Sequence, residues 1–104
     1  MKIKQLKEIF ILGNRCDVKW DKKNYGGSFD MAEQKIVIGS KCIDTNPEYT
    51  FSVLMHEISE CVHTVLCTRY QDNSVSNNHK FFMDHKEFQN HNTILSEIIL
   101  KFIE

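Results

Sequence analysis

The first 45 residues carry short runs of apolar residues separated by polar and glycine-containing stretches, a pattern typical of strands rather than long helices. Segment 3–12 fits a strand or a short helix, and segments 16–20, 29–31 and 35–38 favour short strands. The run Ile36, Val37 and Ile38 is β-branched and is followed by Gly39, which makes it the clearest strand signal. Segment 21–27 predicts a loop or turn. We therefore expect a small antiparallel N-terminal sheet.

The pattern changes at residue 46, where a long helix is predicted to begin. Asn46 suits the N-cap and Pro47 suits the first helical position. Over about the next twenty residues, the apolar side chains recur at helical spacing on one face. They are Phe51, Leu54, Met55, Ile58, Cys61, Val62, Val65 and Leu66. This face is expected to form part of the hydrophobic core.

The rest of the chain predicts a loop, a short strand and a final helix. Segment 69–78 is polar and rich in turn-forming residues, and segment 79–83 favours a strand. Asp84 can cap a helix that runs to residue 102. The expected fold is α+β in a single domain, 1–104, with an N-terminal sheet, one long helix and one C-terminal helix.

Composition narrows the class of protein. The chain has 104 residues, of which 41% are hydrophobic and 26% charged, with a formal net charge of −1. These values are ordinary for a globular domain, and no run is long enough to span a membrane. The N-terminal lysines come without interleaved arginines or stacking aromatic residues, so we expect no nucleic-acid partner. With no recognisable signal peptide, we expect a cytoplasmic protein that does not associate with membranes.

The four cysteines are expected to be reduced and mostly buried. They are Cys16, Cys42, Cys61 and Cys67, and none belongs to a C-x-x-C pair, which argues against a zinc ribbon or a thioredoxin-type motif. Without a secretory signal, structural disulfides are not expected either.

The five histidines all lie in the C-terminal half, and His56 begins the most informative segment, H-E-I-S-E at 56–60. His56 and Glu60 lie one turn apart on the helix face opposite the apolar one, so their side chains can converge on one ion. This is the layout of H-E-x-x-H with a glutamate as the second ligand. Two histidines with one glutamate are a known catalytic zinc set. Glu57 would then point beside the metal, which suits a general base.

Residue spacing leaves three histidines as candidates for the third metal ligand. His85 ranks first because it follows a strand and begins a helix, while His91 ranks second and His79 third. His63 lies seven residues from His56, about 10.5 Å of helical rise, which is too far to share one ion without bending. We expect His63 to support the site, for example as a partner of Glu60.

The order of these motifs resembles a known family, the small zincin-like metallopeptidase-type proteins common in phages and prophages. The resemblance is carried by strand 34–38, L-M-H-E-I-S-E at 54–60 and F-M-D-H-K-E-F at 82–88. It implies a minimal gluzincin-like fold, one zinc ion per chain held by His56, Glu60 and His85, and Glu57 as the catalytic base. It also implies hydrolysis of a protein or peptide substrate, in the host cytoplasm if the protein is phage-encoded.

Two alternatives make different predictions. In a non-catalytic zinc module, the metal would be closed by four protein ligands and the surface would bind a protein partner. In a metal-free interaction module, the histidines would be ordinary core or surface residues, and chelators would leave the protein unchanged.

Overall fold

A four-stranded sheet and two helices account for most of the structure, a computed structural model. It describes the backbone of residues 1–66, 69–72, 78–81 and 84–104, and the side chains of residues 1–66 and 84–104. The strands are β1 (Glu8–Ile11), β2 (Asn14–Asp21), β3 (Gly27–Asp30), β4 (Lys35–Gly39), β5 (Arg69–Asp72) and β6 (Asn78–Phe81); the helices are α1 (Pro47–Val65) and α2 (His85–Leu100). The predicted α+β class is confirmed.

The main sheet is mixed, so the expectation of an antiparallel sheet is wrong in one respect. Its strand order is β1-β2-β4-β3, with antiparallel pairs at both ends and a parallel pair, β2 with β4, in the middle. The β-branched β4 takes a central position, where Ile36 and Ile38 are fully buried. The more polar β3 lies at the edge. Sequence alternation predicts which face a residue occupies, but not which strands are neighbours.

Helix α1 begins and packs as predicted. Asn46 is the N-cap and accepts a hydrogen bond from the Tyr49 backbone N–H, with Pro47 in the first turn. The buried side chains of α1 join those of the sheet in one hydrophobic cluster. One residue of the predicted apolar face, Met55, is instead 38% exposed.

Helix α2 begins where expected and packs against α1. Asp84 caps it by accepting a hydrogen bond from the Glu87 backbone N–H at 2.8 Å. The ring of His91, early in α2, contacts His63, late in α1. Near the other end, a shared groove is lined by residues early in α1 and late in α2, namely Phe51, Met55, Leu95 and Ile99. The two helices therefore run antiparallel.

The segment between the helices contains a β-hairpin. Strands β5 and β6 pair antiparallel, with Tyr70 opposite Lys80. The prediction of a loop over 69–78 is therefore wrong at 69–72 and at residue 78. This polar sequence offers little alternation of apolar and polar residues. The predicted strand at 79–83 is confirmed for 79–81, while residues 82 and 83 lie outside the described residues. Neither described helix has the apolar length that a membrane-spanning helix needs.

Candidate metal centre

Helix α1 brings three metal-ligating side chains together at one point of its surface. The ligand atoms of His56, Glu57 and Glu60 all lie within 4.8 Å of one another. His56 Nε2 is 3.7 Å from Glu60 Oε1 and 4.0 Å from Glu57 Oε1. The i, i+4 spacing explains the shorter contact, because side chains one helical turn apart face each other. We refer to these three residues as the α1 triad.

The α1 triad runs from solvent into the interior. The side chain of His56 is 68% exposed, that of Glu60 22% and that of Glu57 only 8%. A reactant can therefore approach His56 from solvent, while Glu57 is held in place by its surroundings. This gradient follows from the position of α1, one side of which is covered by the sheet.

Strand β3 forms the wall beside Glu57, and its first residue must be glycine for this packing. A Cβ atom on Gly27 would lie 2.8 Å from Val53 Cγ1, 2.9 Å from the Val37 carbonyl oxygen and 3.0 Å from Glu57 Cγ. The missing side chain thus allows the edge strand to approach α1 at the α1 triad. Sequence reasoning did not identify Gly27, although a glycine at the start of a strand is itself a signal of close backbone approach.

The donor atoms of the α1 triad fit a zinc ion. Imidazole nitrogen and carboxylate oxygen are both zinc ligands, bound at about 2.1 Å, so two ligands of a tetrahedral zinc lie about 3.4 Å apart. The 3.7 Å between His56 and Glu60 is close to that separation. The distance from His56 Nε2 to Glu57 Oε1 is 4.0 Å, somewhat longer.

The structure does not bring the predicted third ligand, His85, to the α1 triad. His85 is exposed at the first position of α2, and its ring does not belong to the group of atoms described above. It precedes His91 by six residues, about 9 Å of helical rise. Because the helices run antiparallel, His85 lies towards the C-terminal end of α1. Its role as a ligand stays a prediction.

The other α2 histidine, His91, packs against α1. His91 is 4% exposed and His63 is 7% exposed. The centroids of their two rings are 3.9 Å apart. His91 Nε2 also shares a hydrogen bond with Ser59 Oγ at 3.1 Å, next to Glu60 in the chain. Burial lowers the pKa of His91, so the neutral imidazole is favoured. The seven-residue spacing places His63 on the same side of α1 as His56, but it does not indicate that α2 covers His63.

The remaining histidine, His79, belongs to β6, and its side chain lies outside the described residues. Cys67 also lies outside the described residues. Comparison of the chain with protein-family models, curated proteins and solved structures found no match. The zincin-like resemblance therefore stays a prediction, and the case for a function depends on the α1 triad and its surroundings.

Proposed function

We propose that this protein is a zinc-dependent hydrolase of peptide bonds, with the metal held by His56 and Glu60 and with Glu57 as general base. The main support is the α1 triad itself, in which two ligand-type atoms lie 3.7 Å apart next to a buried carboxylate. Such a cluster at the surface of one helix leaves room for water and substrate around the metal, as a catalytic site needs.

The chemistry divides between the metal and Glu57. A bound zinc ion would lower the pKa of its water towards about 7 and polarise the substrate carbonyl. Glu57 accepts the proton from the attacking water and later gives it to the leaving amine. Its burial against β3 keeps the carboxylate close to His56 and limits competition from bulk water.

The neighbouring edge strand supports a peptide as the substrate class. Within the described sheet, β3 is an edge strand that pairs with β4 on one side. Adding a strand at such an edge is a common way to bind peptides through main-chain hydrogen bonds. Because Gly27 lies against Glu57, a peptide paired with β3 would run close to the α1 triad.

Helix α2 supplies the third ligand in this proposal. The family resemblance assigns that role to His85. The packing of α2 gives His91 as the alternative, since its ring already contacts Ser59, next to Glu60. The zinc affinities of the variants His85→Ala and His91→Gln distinguish the two candidates. The variant that lacks the true ligand should bind zinc more weakly, and the other variant should bind zinc as wild type does.

The test of the proposal is the variant Glu57→Gln, which keeps the shape of the side chain but cannot accept the proton. We expect this variant to bind zinc with unchanged stoichiometry and to lose hydrolysis of unstructured peptides. Glu97→Gln, the same substitution at an exposed position of α2, is the matched control and should keep full activity.

Other results would contradict this assignment. Full activity of Glu57→Gln would exclude the general-base role, and loss of zinc in the same variant would make Glu57 a ligand. If wild type binds zinc but hydrolyses no peptide, the non-catalytic zinc module is favoured. If wild type takes up no zinc, the metal-free module is favoured.

A further inference from the structure

Two buried thiols meet at the interface between the sheet and α1. Cys16 on β2 is 2% exposed and Cys61 on α1 is 4% exposed, and both belong to the hydrophobic core. The Cys61 thiol donates a hydrogen bond to the Cys16 sulfur, so the two side chains are in contact across the interface. Neither residue has a part in the proposed metal chemistry.

The third described cysteine, Cys42, has a different environment. Its sulfur lies 3.6 Å from Thr50 Oγ1 and donates to the Asn46 carbonyl oxygen at 3.7 Å. Cys16 also donates to a carbonyl oxygen, that of Asp17 at 3.8 Å, but these partners of Cys42 are all oxygens and offer no sulfur with which to form a bond. Among the described cysteines, the structure therefore singles out Cys16 and Cys61 as a pair.

A small cavity gives a reagent access to this pair. Its volume is about 40 Å³, and its lining includes both cysteines together with Phe29, Gln34 and Thr64. A cavity of this kind needs about 10–15 Å³ to hold one water molecule. There is room for hydrogen peroxide, which is about the size of two waters, but not for a bulky thiol such as glutathione.

We propose that Cys16 and Cys61 form a peroxide-sensitive thiol pair, which a hydroperoxide converts into a disulfide between β2 and α1. The Cys16 thiolate attacks one peroxide oxygen and the O–O bond breaks, which gives a sulfenic acid and, after protonation, water. The Cys61 thiol then attacks that sulfur, expels a second water and closes the S–S bond. Two thiols and one hydrogen peroxide become one disulfide and two waters.

The environment assigns the attacking role to Cys16. The hydrogen bond from Cys61 lowers the pKa of the Cys16 thiol, and this effect exceeds the opposing effects of burial and of Asp17. The thiolate is the nucleophile in this chemistry, so the thiol with the stabilised anion reacts first. The disulfide would link α1 to the sheet at the residue after Glu60. The proposal is independent of whether zinc binds.

The experiment uses the full chain with Cys42→Ala and Cys67→Ala, so that only this pair remains. The folded, reduced protein is treated with one equivalent of hydrogen peroxide, then unfolded in urea containing N-ethylmaleimide so that every remaining thiol is labelled, and digested for mass spectrometry. We expect a protein lighter by two hydrogen atoms, no maleimide adducts, and a cross-linked peptide containing Cys16 and Cys61. Two maleimide adducts per chain, or sulfinic acid without a cross-link, would overturn the proposal.

Two further measurements guard against an effect of the substitutions. In the wild-type chain, the same treatment should yield the Cys16–Cys61 cross-link in preference to any other, and equal amounts of cross-links to Cys42 or Cys67 would overturn the assignment. In Cys61→Ser, checked for folding by circular dichroism, the hydroxyl keeps a hydrogen-bond donor beside Cys16 but cannot form a disulfide. After the peroxide treatment, unfolding this variant in the presence of dimedone should label a sulfenic acid at Cys16. Unlabelled Cys16 in that folded variant would overturn its role as the attacking thiol.

Discussion

His56 and His63 lie on the same helix, two turns apart, yet the structure gives them opposite environments. The His56 side chain is 68% exposed and faces two carboxylates. His63 is 7% exposed, and its ring packs edge-on against that of His91 at a centroid distance of 3.9 Å. The sequence places both residues on the same face of α1, so the difference arises from α2, which covers one of them.

This comparison shows that the partner of a histidine decides what it can do. His56 has ligand-type oxygens nearby and an open side, which suit metal binding. His63 and His91 are packed ring against ring between two helices, which suits a role in stability. The two histidines should therefore respond differently to substitution. Replacing His56 should weaken zinc binding and leave the free energy of unfolding unchanged, whereas replacing His63 should lower the free energy of unfolding.

The largest expected effect is on zinc affinity in His56→Ala. Removal of even an outer-shell partner of a metal ligand costs about 10–100-fold in affinity, so loss of a ligand should exceed about 100-fold. Because His56 is exposed, the free energy of unfolding of the metal-free protein should change by less than about 0.5 kcal/mol. Competition with a chromophoric chelator and urea titration measure the two quantities. Wild-type affinity in this variant would remove His56 from the site.

His63→Ala should have the opposite result. The substitution leaves a cavity next to His91 in the α1–α2 interface, and truncation of a large buried side chain costs about 2 kcal/mol or more. Urea unfolding of the metal-free protein measures this loss. Ser52→Ala, on an exposed position of the same helix, is the control and should leave stability within about 0.5 kcal/mol. A neutral His63→Ala would contradict the division between the two histidines.

Gly27→Ala tests the wall beside Glu57. The added methyl would meet backbone and side-chain atoms at 2.8–3.0 Å, so β3 or α1 must shift. Overpacking of this kind lowers the free energy of unfolding by about 1–3 kcal/mol. The shift should also displace the Glu57 side chain and so lower peptidase activity. Gly26→Ala is the matched control, since a Cβ there meets nothing within 4 Å. Equal stability and activity of the two variants would show that close approach at Gly27 does not matter.

The smallest expected effect is a pH dependence of stability from His91. Burial lowers the pKa of His91 in the folded protein, whereas the unfolded chain has the ordinary value near 6.5. Below about pH 6.5, the unfolded state therefore binds a proton that the folded state does not, and the free energy of unfolding falls as the pH falls. The slope cannot exceed about 1.4 kcal/mol per pH unit for one group.

Substitution of His91 tests this contribution directly. Urea titrations from pH 7.5 to pH 5 should give a smaller slope of the free energy of unfolding against pH for His91→Gln than for wild type. An unchanged slope in His91→Gln would assign the pH dependence to another group.

Local signals predicted the helices well, because helix ends are determined by nearby residues. Asn46 with Pro47, and Asp84, act as the caps that the sequence indicated. The same local logic identified His56 and Glu60, since residues one turn apart must be neighbours on a helix. The spacing that suggested the α1 triad is thus confirmed as geometry, while its metal and its reaction stay predictions.

Long-range features were not predictable in this way. Strand β4 lies between β2 and β3. This position depends on how well its side chains pack against both neighbouring strands. The burial of His63 depends on the crossing of α2, and the role of Gly27 depends on how closely β3 approaches α1. Each of these is a contact between segments that are distant in sequence, and residue spacing within one segment carries no information about it.

The most direct test of the account is the number of zinc ions per chain. Elemental mass spectrometry would be applied to wild type and Glu60→Gln, both purified without added metal, supplied with zinc and freed of excess by gel filtration. The account predicts about one zinc per chain in wild type and a clear loss in Glu60→Gln. Wild type without zinc, or a Glu60→Gln protein that retains a full equivalent, would contradict the assignment of the α1 triad as a metal centre.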